Sequence, residues 1–65
     1  MKDNVINVLT ALQGHPRHVF TAFSLRTYVN DKSVRTVRET VEIMIACGLP
    51  IVATDAAQGA WLYVA

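Results

Sequence analysis

Apolar residues first recur at helical spacing, with Val5, Val8, Leu9 and Leu12 along one stripe that Ile6 widens. Asp3 or Asn4 caps this first helix, and Gly14 followed by Pro16 stops it. His15-Pro16-Arg17-His18 is a connector, and His18-Val19-Phe20 a short strand. A second helix opens at Thr21 or Ala22. Phe23, Leu25, Tyr28 and Val29 are expected to supply its apolar contacts, with Ser24, Arg26 and Thr27 on the other side.

Asn30-Asp31-Lys32 reads as a turn, because Asn and Asp side chains bond their own backbone. Ser33 then caps a third helix. At about 100° per residue, Val34, Val37, Val41, Met44 and Ile45 gather on one face, and Arg35, Arg38, Glu39 and Glu42 on the opposite one. Gly48 suits a left-handed stop, and Pro50 cannot prolong the helix. The period then changes to two. Leu49 to Ala53 and Ala60 to Val64 are strand candidates, joined as a hairpin by the loop Thr54 to Gly59. This order of elements predicts one α+β domain over residues 1–65, with no repeat, linker or low-complexity tract. The initial Met and the full set of elements lead to the expectation of a complete small protein, whose brevity fits a phage or plasmid regulator.

Composition narrows the function. Apolar residues make up 52% of the chain and charged ones only 17%, against about 25% charged in an average soluble domain. So small a domain has little interior, and part of this apolar surface is expected outside, with self-association its simplest outlet. Cys47, the only cysteine, rules out an intramolecular disulfide. It is expected to be a small buried residue late in the third helix. A lone cysteine and the lack of a signal segment point to the cytoplasm, and no apolar run approaches the about 18 residues of a membrane span. There is no Gly-rich phosphate loop, no paired carboxylates in an apolar context and no nucleophile with a base. His15, His18, Cys47 and Asp55 lack the spacing of a metal site. An enzyme, a cofactor, a metal and a small-molecule substrate are therefore not expected.

The net charge of +1 is not that of a strong polyanion binder, so the placement of charge decides. Four of the six basic residues lie between positions 26 and 38. Arg35, near the start of the third helix, opposes the helix dipole, where Asp or Glu would be more stable. Its i, i+4 spacing to Glu39, like that of Arg38 to Glu42, stabilises a helix by only about 0.3–0.5 kcal/mol. A bidentate Arg–guanine contact is worth about 1–3 kcal/mol of discrimination, enough to outweigh the local cost. In the last strand, Trp61 and Tyr63 alternate with Ala60, Leu62 and Val64. If Leu62 and Val64 point inward, Trp61 and Tyr63 form an outer face suited to a partner. The alternative is that Trp61 folds back over the hairpin.

Over essentially its whole length the chain resembles the winged helix-turn-helix domains of bacterial transcription repressors. The resemblance rests on Ser33-Val34-Arg35-Thr36-Val37-Arg38, then Val41, then Gly48-Leu49-Pro50-Ile51, with Gly59 and Leu62 marking the end of the wing. It implies a small α+β fold: three helices, a short strand and a C-terminal β-hairpin. It also implies sequence-specific binding of double-stranded DNA, with the third helix in the major groove, in transcription regulation or as an architectural accessory factor. By position, Ser33, Arg35, Thr36, Arg38 and Glu39 would face the groove, with base reading by Arg35, Thr36 and Arg38. Lys32 and Arg26, with Ser33, would hold flanking phosphates. One domain makes few contacts, so a homodimer or several copies on one site are expected, with half-sites about 34–36 Å apart if symmetric.

Two features depart from the resemblance. The wing loop carries no Lys or Arg, its one charge being Asp55, and both helix arginines have a glutamate four residues on. These favour a second reading, a winged-helix protein–protein interaction module with little DNA contact.

Overall fold

Helix boundaries follow from which side chains find core partners and which backbone groups find caps. The computed structural model describes residues 2–55, 57 and 59–65. Helix α1 (Lys2–Gly14) buries Val8, Ala11 and Leu12, with Val5 and Leu9 packed at the edge. Ile6 points outward instead of widening that stripe. Asn4 is not a cap. It lies inside the helix, buried, and its Oδ1 accepts the backbone N–H of Asn30 at 3.0 Å.

Strand β1 is Phe20–Thr21, starting two residues later than the pattern suggests. Thr21 then caps α2 (Ala22–Leu25): its Oγ1 accepts the N–H of Ser24, and Ser24 Oγ accepts that of Thr21, each at 3.0 Å. One 3₁₀ turn, Arg26–Tyr28, follows. Such a short helix shows only a narrow strip to the core, so Ala22, Leu25 and Val29 are buried while Phe23 and Tyr28 are exposed. The expected apolar role of Phe23 and Tyr28 is corrected accordingly.

Helix α3 (Val34–Ala46) buries Val37, Thr40, Val41 and Met44. Val34 and Ile45, at the two ends of this stripe, remain exposed. Ser33 is the N-cap, its Oγ accepting the N–H of Thr36 at 3.4 Å. At the far end Gly48 has φ +92°. Its N–H donates to the Ile45 carbonyl and that of Leu49 to Met44, at 2.9 and 3.2 Å, the paired bonds of a Schellman stop. Cys47 occupies the C-cap and is exposed, not buried as its place in the pattern suggested.

Because Leu49 serves that cap and Pro50 has no N–H, β2 begins at Ile51 and runs to Asp55. Strand β3 (Ala60–Tyr63) lies between β1 and β2, antiparallel to both. Ile51 pairs with Tyr63, Val52 with Leu62 and Ala53 with Trp61, and a bulge between Ala53 and Asp55 brings Asp55 opposite Ala60. Of the expected loop Thr54 to Gly59, Ala56 and Gln58 lie outside the described residues. The inward face of β3 is that of Trp61, which is 5% exposed and joins the core with Val8, Leu12, Leu25 and Met44. The chain is thus a small α+β domain in which helices cover one three-stranded antiparallel sheet. Among the described residues, no helix is long and apolar enough to cross a membrane.

Candidate nucleic-acid interface

The outer face of α3 is set by the stripe opposite it: with Val37, Val41 and Met44 inward, Arg35, Glu39 and Glu42 must point away from the core. Arg35 stands clear of the scaffold, its side chain 87% exposed. Its Nε donates to Glu39 Oε2 at 3.4 Å, and the Glu39 side chain is itself half exposed. An exposed pair of this geometry is weakly held and screened by salt.

The start of α3 carries an anion of its own. Asp31 Oδ1 accepts the N–H of Ser33 at 3.1 Å, and Asp31 Oδ2 accepts the hydroxyl of Thr36 at 2.7 Å. The carboxylate therefore sits at the positive end of the helix, where it is favoured. Lys32 follows it in the left-handed conformation, φ +53°, with its side chain in solvent. Ser33, Asp31 and Thr36 form one hydrogen-bonded group. Thr36 is half-buried within it, and its hydroxyl donates to Asp31.

Arg38 does not follow Arg35 outward. Half-buried, it turns across the fold and its Nη2 donates to the Ala57 carbonyl at 3.4 Å, away from Glu42. Gly59, with φ +77°, is the pivot of this contact. A Cβ there would stand 3.1 Å from Trp61 Cη2, 3.2 Å from Arg38 Cζ and 3.3 Å from Ala22 Cβ. Only a residue without a side chain lets α2, α3 and the β2–β3 turn meet so closely. The Ala22 N–H donates to the Gly59 carbonyl at 2.8 Å and closes the junction.

Arg26, in the 3₁₀ turn after α2, has its guanidinium carbon 4.0 Å from the centre of the exposed Phe23 ring. Further along α3 the outer surface changes character: Glu39, Glu42, Ile43 and Ala46 line an open, shallow depression. The first turn of α3 carries Arg35 beside the Asp31 carboxylate, and the later turns of its outer face are acidic and apolar.

Of the residues singled out in the sequence, the structure brings Ser33 and Thr36 together through Asp31, pairs Arg35 with Glu39, and sends Arg38 to the turn. Arg26 stands apart on Phe23. Trp61 is enclosed, so the outer aromatic face expected as a partner surface is not formed. Tyr63 shares the inward face, half-buried, its hydroxyl accepting from Gln13 Nε2 at 3.1 Å. Asp31 and Phe23 were the residues that sequence reasoning missed. The Asp-x-Ser spacing ahead of a helix was a usable signal for Asp31; nothing flagged Phe23 as exposed. His15, His18 and Phe20 cluster with ring centres 4.7–6.2 Å apart. Among the described residues, no group of three or more His, Cys, Asp or Glu is placed to hold a metal. No protein-family model, curated protein or solved structure matches this chain.

Proposed function

We propose that this chain is a winged helix-turn-helix protein that binds duplex DNA, laying the first turns of α3 in the major groove as a transcriptional regulator or architectural accessory factor. The element order supports the reading, as does a β3 strand paired centrally between β1 and β2. The observation that carries it is Arg35: a guanidinium 87% exposed at the mouth of a helix whose opposite face packs Val37, Val41 and Met44 into the core. Arg35 reads base edges, for which a planar fork of donors is suited. Lys32 and Arg26 hold phosphates on either side, and Ser33 and Thr36 fix the start of the helix. Arg38 braces the β2–β3 turn against α3 and so positions the wing. One domain makes few contacts, so two or more copies occupy a site.

A specific observation favours the second reading, a protein-binding module. Asp31 occupies the start of α3 and Glu39 pairs with Arg35, both repelling phosphate. A salt titration separates the two. DNA binding that neutralises about four phosphates gives a slope near −3.6 of log K against log salt. Absence of binding to any duplex at low salt removes the DNA reading and leaves the other.

A further inference from the structure

Phe23 is the most exposed large apolar residue among those described, at 65%, on a chain that buries every other apolar side chain of α2. It is not a stray surface residue, because Arg26 lies over its ring at 4.0 Å. The ring face attracts the guanidinium and favours this position over the other rotamers of a side chain with several free torsions.

The segment of chain that carries the stack has no acidic residue of its own. No carboxylate occurs anywhere between Asn4 and Asn30, and among the described residues Arg26 has no ion pair. The same turn of α2 adjoins α3, since Ala22 Cβ and Arg38 Cζ converge on Gly59 within 3.3 Å of the position a Cβ would take there. A surface that combines a cation with an apolar ring, on the element packed against α3, complements a sugar–phosphate backbone. The phosphate takes the guanidinium, which the ring beneath holds in place.

We infer that Phe23 and Arg26 form a pre-oriented clamp for the sugar–phosphate backbone of duplex DNA, in which Phe23 is the positioning residue that holds Arg26 ready for a phosphate. The inference rests on the DNA-binding reading above and adds to it a residue and a role. The clamp contributes affinity without sequence preference, because backbone contacts carry no base information.

The test is a double-mutant cycle on the full chain, read by fluorescence anisotropy with duplexes of several unrelated sequences. Phe23→Ala is expected to weaken binding by about two- to five-fold on every duplex, the range of an exposed cation–π contact. Phe23→Tyr keeps wild-type affinity. Arg26→Ala flattens the log–log salt slope by about 0.9, and in that background Phe23→Ala has no further effect. An amide spectrum of each variant verifies the fold, which truncation of so exposed a ring leaves intact. The inference is overturned if a folded Phe23→Ala binds like wild type. It is equally overturned if its loss persists without Arg26, if unpaired strands bind tighter than duplex, or if Phe23→Ala changes only the sedimentation profile. Should wild type bind no duplex at low salt, the DNA reading itself falls; should wild type bind while Phe23→Ala matches it, only the clamp falls.

Discussion

The carboxylate of Asp31 accepts the hydroxyl of Thr36 at 2.7 Å, across the first turn of α3. It also accepts the N–H of Ser33. The residue thus orders the turn that leads into the helix. On the proposed DNA-binding reading it also places a negative charge where a phosphate would approach, so that stability and DNA affinity would pull in opposite directions at this position.

Asp31→Asn tests that conflict. The amide keeps an acceptor for Ser33 but loses the charge that favours the positive end of α3, at a cost near the low end of about 0.3–1 kcal/mol because the site is exposed. The melting temperature should fall by a few degrees. Affinity for duplex DNA should rise, since one repulsive charge is gone. Unchanged affinity in a folded Asp31→Asn would place the carboxylate outside the contact surface, and lower affinity would mean that the turn it orders matters more than its charge.

The two arginines of α3 should separate by phenotype. Arg35→Ala removes an exposed ion pair worth at most about 0.5 kcal/mol, so the melting temperature stays within a few degrees while DNA affinity and sequence preference drop. Arg38→Ala frees the β2–β3 turn, and the amide of Gly59 then exchanges faster with solvent. Equal effects of both on DNA preference, with unchanged exchange at Gly59, would contradict this division.

Two glycines with positive φ should differ when each becomes alanine. Gly48 has φ +92° but no atom within 4 Å of a new Cβ, so only the left-handed penalty of about 1–2 kcal/mol applies. Gly59 adds contacts of 3.1–3.3 Å with Trp61, Arg38 and Ala22. Urea denaturation should find Gly59→Ala clearly less stable than Gly48→Ala. The reverse order would mean the junction at Gly59 is loose.

Trp61→Ser is expected to remove a large part of the chain's stability, not to alter its association. Loss of a buried Trp costs about 3–5 kcal/mol, and a domain of this length holds only about 0.05–0.15 kcal/mol per residue in total. Urea denaturation decides: a stability loss below about 1 kcal/mol for Trp61→Ser would mean that Trp61 is peripheral.

What the sequence disclosed, and what it hid, follows from the range of each signal. Helix α3 was legible because its cap, its stripe of Val37, Val41 and Met44, and its glycine stop are all local and agree. Strand ends were misplaced by one or two residues where one residue does two jobs, as Thr21 in β1 and the cap of α2, or Leu49 in the helix stop. The facing of β3 was undecidable, since Ala60 to Val64 is apolar on both faces and period two selects neither. Phe23 was misread because a four-residue helix has too little length for its stripe to declare a side. In the candidate site, the exposed Arg35 was foreseen. The tie of Arg38 to Ala57, 19 residues on, depends on tertiary approach that no local pattern encodes.

The central claim is that the first turns of α3 meet duplex DNA, and amide chemical-shift mapping tests it most directly. Adding duplex at low salt to the labelled chain should shift signals from residues 22–39, most strongly around Arg35, and salt should reverse the shifts. Shifts centred on α1 or on the acidic, apolar end of α3, or a spectrum unmoved by DNA at low salt, would contradict the account.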